Sequence, residues 1–320
     1  MDLVVMGSAF VELIPTRVRV SLSKVPSFEL SIGGSAANIA VAASRLEAKV
    51  GLLSAVGTDE FGQFVLDELR SERVDVSRVK PVGGYRTGVS FYTVDRKGRK
   101  RYHFYRFPGY STPEATLDEA DVDDDYVGSS RAFVLGEACV RRLPSRKCAM
   151  AATRSAREKG RLVLYDPNFR SSMWRDPVRA IQITRRFIHL STITTPNVQE
   201  AMLMTGRRGV ESAIEDLLDL GPEIVAVKEG GSGCTLATRQ ESLHVPAFKV
   251  HATDDTGAGD AFCAALVVSK LRGMPLRAMA LFANAVAAIK VSRMGTKDAM
   301  PSLKEAKGFL RSRRVTIEGL

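Results

Sequence analysis

The sequence predicts an α/β protein built on a mainly parallel sheet. Three observations carry that prediction: short β-rich apolar runs alternate with longer segments of helical periodicity, the runs are apolar nearly throughout, and several end in Gly, Asn or Asp. Strands that alternate with helices form βαβ units, and a parallel sheet covered on both faces needs strands apolar on both sides. Ligands of such sheets gather beyond the carboxyl ends of the strands, where these polar endings fall. With 320 residues, 45% of them apolar, the chain has material for a substantial core. No Pro/Ser-rich linker, low-complexity run or internal repeat divides it, so residues 1–320 read as one domain.

The elements follow in order. Strands are predicted at 2–8 (DLVVMGS), 50–57 (VGLLSAVG), 131–136 (RAFVLG), 161–168 (RLVLYDPN), 187–197 (FIHLSTITTPN) and 223–230 (EIVAVKEG). Helical spacing appears at 36–48, 61–72, 145–160 and 210–221, and a further helix is predicted to start near Gly259. The stretch AMALFANAVAAIKV (278–291) holds Asn284 and Lys290 and is too short to cross a bilayer, so it reads as a buried helix. Residues 10–32 and 84–107 instead alternate polar with apolar or aromatic side chains, as half-exposed antiparallel strands do, with DRKG (95–98) as a hairpin turn. Together they predict a small sheet projecting over one end as a lid.

Charge and cysteines exclude several classes. A formal net charge of +10 favours anionic ligands, but no nucleic-acid reading module accompanies the basic residues. Cys139, Cys148, Cys234 and Cys263 form no CxxC pair, and the four histidines show no metal-ligand spacing. Reduced thiols and the absence of a signal-peptide pattern point to a cytoplasmic protein without membrane contact.

The chemistry concentrates at HATDDTGAGDAFCAAL (251–266). Gly257 and Gly259 precede a buried helix whose first-turn N–H groups attract anions. No Lys-Ser/Thr pair follows, so this is not a Walker A loop. A carboxylate at such a helix mouth makes sense if the anion is transient. A phosphoryl group in flight would sit on the N–H groups while Asp260, kept ionised by the dipole, takes a proton from the attacking hydroxyl. Alone, GAGD also describes an ordinary capped helix start.

Together with IGGSAANIAVAASRLEAKVGLLSAVGTDEFG (32–62), DPNFRSSMW (166–174) and TPNVQEAMLMTG (195–206), DDTGAGDAFCAAL resembles the signatures of the ribokinase-like (PfkB) sugar kinases, in family order, over about residues 3–302. The resemblance implies a ribokinase-like fold, ATP and Mg²⁺ as cosubstrate and cofactor, and Asp260 as catalytic base, with Gly257, Ala258 and Gly259 as its anion hole. Gly33, Gly34 and Asn38 correspond to sugar-hydroxyl contacts. Asn197 and Glu200 match an N-x-x-E motif, Glu200 touching Mg²⁺ through water. Lys228, Gly230 and Gly233 match the strand and turn that meet the nucleotide, and Asn284 and Ala288 the purine side. Asp254 and Thr256 match positions that hold a monovalent cation such as K⁺ in many members. Lids in this family often double as dimer contacts, which implies a homodimer.

DPNFRSSMW is similar to the fructokinases and the 2-keto-3-deoxygluconate and 5-dehydro-2-deoxygluconate kinases. Arg170 would hold a substrate carboxylate or oppose a phosphate, or serve in a structural ion pair. Arg106 and Phe104 in the lid, and Glu12 where many members carry Asp, complete the expected sugar site. Ser90 and Phe104 stand where keto-acid kinases usually have tyrosines, which weighs against that group, whereas Arg106 and Arg170 favour it. The expected activity is γ-phosphoryl transfer from ATP to a monosaccharide or sugar-acid hydroxyl. The rivals are a nucleoside kinase on the same fold, a non-catalytic sugar-binding regulator, and a basic nucleic-acid-binding protein.

Overall fold

The computed structural model describes residues 1–94, 100–105 and 112–320. The DRKG turn and Arg106 lie outside the described residues. Its strands are β1 (Leu3–Met6), β2 (Phe10–Pro15), β3 (Phe28–Gly33), β4 (Val50–Gly57), β5 (Asp75–Val82), β6 (Val89–Val94), β7 (Lys100–Tyr105), β8 (Ala132–Gly136), β9 (Leu162–Asp166), β10 (Ile193–Thr194), β11 (Ile224–Lys228), β12 (Cys234–Ala237) and β13 (Ser242–Val245). The helices are α1 (Ser35–Arg45), α2 (Glu60–Ser71), α3 (Asp124–Ser129), α4 (Ser145–Glu158), α5 (Pro177–Leu190), α6 (Val198–Thr205), α7 (Val210–Leu220), α8 (Ala258–Leu271), α9 (Leu276–Val291) and α10 (Leu303–Ser312).

Among the described residues, nine strands form one sheet in the order β13-β12-β11-β10-β9-β8-β1-β4-β5. Pairing is parallel from β11 through to β5 and antiparallel from β11 to β12 and from β12 to β13. The side chains of β1 and β4 explain why the sequence runs are apolar throughout. Leu3, Val5, Val50 and Leu52 enter the core beneath α1, α8 and α9, while Val4, Met6, Leu53 and Ala55 enter the core beneath α4, α5 and α7. Each strand is buried on both sides, so alternation disappears.

Two edges escaped the sequence reading. β5 (DVSRVKPV) breaks its apolar residues with Asp, Ser, Arg and Lys, and β12 and β13 are four residues each; the edge strands β5 and β13 need no continuous apolar run. The strand expected at 187–197 shrinks to Ile193–Thr194, because residues to Leu190 belong to α5. Ala180, Ile183, Thr184, Phe187 and Ile188 bury one helical stripe behind the Asp176 cap and Pro177. The apolar run was the end of a helix, an ambiguity periodicity alone cannot resolve.

The second sheet, β3-β2-β6-β7, is built from the two alternating segments. Its β2–β6 pairing is parallel, which corrects the expectation of a purely antiparallel sheet, while β2–β3 and β6–β7 are antiparallel. Period-two alternation sorts its faces: Phe10, Glu12, Ser90, Lys100, Tyr102 and Phe104 all line one cavity facing the large sheet.

Candidate active site

Two helix starts meet at Asp260. Gly257 caps α8 with φ at 76°, a left-handed conformation that favours glycine. Asp260 is the third residue of that helix and is only 8% exposed. Gly34 (φ 102°) leads into α1, and a Cβ there would lie 2.3 Å from the Ser8 carbonyl oxygen. That close turn delivers the first turn of α1 to the same carboxylate: Ser35 Oγ donates to Asp260 Oδ1 at 2.6 Å, and Asn38 Nδ2 donates to Oδ2 at 2.8 Å. Burial pushes the Asp260 carboxyl above the ordinary aspartate range, and these two bonds hold the rise back. A carboxylate kept ionised by the helix dipole alone is therefore corrected: desolvation at the buried helix mouth raises the carboxyl. The Ala258 N–H already donates to the Asp255 carbonyl at 3.1 Å, so that amide of the expected anion hole is engaged.

The cavity over Asp260 measures about 640 Å³. Its wall includes Glu12, Gly34, Asn38, Phe104 and Arg170 among the expected sugar residues, and Gly33 is not part of it. Gly33 instead lets β3 close on β2, since a Cβ would lie 2.8 Å from the Phe10 ring. Asn38 Oδ1 and Ser90 Oγ are buried without a hydrogen-bond partner among the described residues, which leaves both able to meet a ligand hydroxyl. Glu12 accepts from Thr296 Oγ1 at 2.9 Å, and burial pushes its carboxyl up to about 7. The Arg170 guanidinium lies 5.7 Å from the Phe104 ring centroid and makes no ion pair among the described residues.

On the far side of the α8 start, Lys228 at the end of β11 places Nζ 2.8 Å from Asp166 Oδ1. A Cβ at Gly259 would be 3.5 Å from that ammonium, an ordinary contact distance, so the lysine lies directly against the helix mouth. Burial opposes the charge on Lys228, but Asp166 together with Glu200 and Cys263 outweighs it and holds the ammonium above the usual lysine range. Asn197 and Glu200 form a reciprocal cap on α6, and the other Glu200 oxygen accepts the Phe169 N–H at 2.7 Å. Burial raises the Glu200 carboxyl. With both oxygens engaged, its remaining lone pairs suit contact with Mg²⁺ through water rather than direct ligation. Gly230 (φ 58°) and Gly233 (φ 113°) shape the turn before β12. Asn284 spends its amide on the carbonyls of Val245 and Pro246 at 2.9 and 3.2 Å, and Ala288 lies one turn further along α9.

The residues at the expected monovalent-cation position do not fit a bare ion. Asp254 Oδ1 accepts the Thr256 N–H at 2.8 Å and also bonds Lys100 Nζ, while Oδ2 accepts the Gly295 N–H at 3.0 Å. Lys100 reaches Thr256 Oγ1 at 2.6 Å. The fully buried Lys290 places Nζ 2.8 Å from the Asp254 carbonyl oxygen and 3.7 Å from Oδ1. Burial pushes the Lys290 ammonium down to about 8, with Asp254 opposing that fall. Sequence reading passed over Ser35, Asp166, Lys100 and Lys290 as site residues. Ser35 and Asp166 stood inside quoted motifs, and Lys290 interrupted an otherwise apolar helix.

Comparison with known proteins agrees with this geometry. The family model "pfkB family carbohydrate kinase" matches residues 1–303. A protein of Arabidopsis thaliana assigned as fructokinase-7 is 30% identical over 318 residues, covering 96% of this chain and 92% of its own. A 5-dehydro-2-deoxygluconokinase of Clostridium perfringens is 30% identical over 319 residues, covering 98% and 94%. A crystal structure from E. coli, described as a ribokinase II in complex with ATP and Mg²⁺, superposes with a TM-score of 0.89 at 23% identity, covering 97% and 99%. With the ribokinase-like fold, the Asp260 helix mouth and a family model spanning nearly the whole chain, the protein belongs to the pfkB family of carbohydrate kinases.

Proposed function

We propose that the protein transfers the γ-phosphoryl group of ATP to a hydroxyl of a small sugar, and that a sugar acid of the 2-keto-3-deoxygluconate type is its substrate. The observation that carries the transfer chemistry is the Asp260 carboxylate, held by Ser35 and Asn38 at the mouth of α8 on the floor of the cavity. The attacking hydroxyl gives its proton to Asp260. Its oxygen bonds to the γ-phosphorus as the bond to the β-γ bridging oxygen breaks, and ADP leaves with that electron pair. The α8 N-terminus and Lys228 face the charge that develops, and raised basicity makes Asp260 a better acceptor. Mg²⁺ fits as an ion held chiefly by nucleotide phosphates and water, neutralising phosphate charge when bound, with Glu200 as its outer contact. The E. coli neighbour crystallised with ATP and Mg²⁺ supports both assignments.

Lys290 takes the place of K⁺ in this reading, its ammonium tying Asp254 behind the 254–257 loop. The small sheet acts as the lid that excludes water from transfer. A second copy docks on its outer face, where Leu30 is 51% exposed and Phe91 stacks on His103 at 4.8 Å. The protein works in the cytoplasm, consistent with four buried free thiols.

Arg170 favours the acid, because a guanidinium on the cavity wall without a carboxylate partner among the described residues matches a substrate carboxylate. The neutral fructose-like reading keeps its support from the fructokinase relative. Phosphorylation of 2-keto-3-deoxygluconate, 5-dehydro-2-deoxygluconate, fructose, ribose and nucleosides, measured side by side with wild type and Arg170→Ala, tests the choice. The sugar acid should give the highest kcat/KM and lose about tenfold or more in the variant. Equal losses on acid and neutral sugars would remove the carboxylate-holding role, and preferred turnover of a nucleoside would replace the sugar altogether.

A further inference from the structure

Beside the active-site cavity lies a second cleft of about 450 Å³ whose wall carries Arg141, Arg142, Arg146, Arg175 and Arg179 around Trp174. The first three arginines come from the connection between β8 and α4 and from the first turn of α4. The other two come from the entry to α5. Among the described residues one carboxylate shares the wall, Asp176, and its Oδ1 already accepts the Arg179 N–H at 3.0 Å. Arg141 and Met173 line both this cleft and the active-site cavity, so the two concavities share a partition.

The arrangement is electrostatically unfavourable in isolation. Glu137 offsets Arg141, but the other four guanidinium groups repel one another across a small concavity. Arg146 and Arg179 also occupy the first turns of 14-residue helices, where the macrodipole disfavours cations; Asp176 caps α5, and no acidic residue caps α4 or stands in its first turn. Burial and the neighbouring Arg179 both lower the basicity of Arg146. Two of the five are fixed in place. Arg146 donates to the carbonyls of Val140 and Arg141 at 2.7 and 2.5 Å and lies 6.0 Å from the Trp174 ring centroid. Arg141 is 3.3 Å from Glu137, whose other oxygen accepts Trp174 Nε1 at 2.9 Å. Arg142, Arg175 and Arg179 are exposed and make no ion pair among the described residues.

We infer that this cleft is a second anion site that binds a phosphoryl group, supplied by a sugar phosphate or by inorganic phosphate. Three guanidinium groups without an ion pair among the described residues offer more donors than the one carboxylate of the wall accepts, and they suit a tetrahedral dianion. The concave shape and the partition shared with the sugar cavity favour a small ligand over a nucleic acid, which would track a convex basic strip.

Trp174 is the only tryptophan of the chain, so its fluorescence reports on this cleft and, through the shared partition, on the sugar cavity; it needs no turnover, and the R175A/R179A variant tells the two apart. The full-length protein is titrated with inorganic phosphate, fructose 6-phosphate, fructose and a short RNA, each at an ionic strength of about 0.1 M matched with KCl. Saturable changes with the two phosphate-bearing small ligands support the proposal. Tighter binding of the sugar phosphate identifies that source, and equal affinity identifies free phosphate. The double variant R175A/R179A should bind about tenfold more weakly or worse, while Asp260→Asn binds as wild type. Thermal unfolding of the double variant without ligand should occur at or above the wild-type temperature, because repulsion is relieved. The proposal is overturned by a change that matched KCl reproduces, by preferential RNA binding, or by affinity lost in Asp260→Asn but kept in R175A/R179A. A double variant less stable than wild type would likewise show that the arginines are not in conflict.

Discussion

Asp260→Asn separates chemistry from folding more cleanly than any other change in this protein. The amide has the shape of the carboxylate, and its surroundings can satisfy it. The oxygen can keep accepting from Asn38 Nδ2 where Oδ2 now does at 2.8 Å, and the new NH₂ can donate to Ser35 Oγ, a hydroxyl free to reverse its role. A carboxylate whose burial already works against its charge is exchanged for a neutral group. The net effect on stability should therefore stay within about 1 kcal/mol. Turnover should respond very differently, because an amide cannot take the proton of the attacking hydroxyl. General-base catalysis contributes about 10²–10⁴-fold, equivalent to roughly 3–5 kcal/mol in the barrier. The assays are kcat with saturating ATP and sugar, ATP affinity by titration calorimetry, and thermal unfolding. The expected result is a large loss in kcat, ATP affinity within about twofold of wild type, and nearly unchanged unfolding. Turnover above about one tenth of wild type would refute the base assignment. A collapse in stability would refute the claim that the site accommodates the amide.

Three further outcomes follow from the same geometry. Glu12, with its carboxyl raised from 4.5 to about 7, binds its proton more tightly folded than unfolded. Stability at this site should therefore fall as pH rises from about 4.5 through 7, by on the order of 3 kcal/mol, and a Glu12→Gln difference curve measured by denaturant unfolding should remove that slope; parallel curves would show that Glu12 does not titrate there. Activity should be the same within about twofold in potassium, sodium and choline chloride, because Lys290 already supplies the buried positive charge. Lys290→Met should lose activity with a raised KM for ATP, and strong potassium activation of the wild type would count against Lys290 as the built-in cation. Leu30→Glu, at a site 51% exposed on the outer face of the small sheet, should convert a dimer to a monomer in light scattering; a monomeric wild type would remove the proposed interface.

Sequence reading found what repeats locally and missed what depends on partners distant in the chain. The apolar strands at β1, β4, β8, β9 and β11 were legible because burial on both faces leaves an unbroken apolar run. The small sheet was legible because one face is exposed and the pattern alternates. β5 and β13 were not, since edge strands are held by a neighbour's backbone and carry no such pattern, and β12, paired on both sides, is only four residues long. The same division runs through the site. Glycines, Asp260 and Asn38 announced a helix mouth, but nothing local indicated that Ser35 and Asn38 would bond a carboxylate more than 220 residues away.

By itself the sequence determined the chemistry available: a carboxylate at a glycine-led helix start, an Asn in a glycine-rich turn, and alternating strands to cover them. Which charges meet was settled by the fold. Packing α9 beneath the 254–257 loop brings Lys290 to Asp254, and placing the β8–α4 connection beside α5 gathers five arginines around Trp174. Hydrogen bonds and ion pairs depend on distances of a few ångströms, and those distances are set by the whole fold rather than by spacing along the chain.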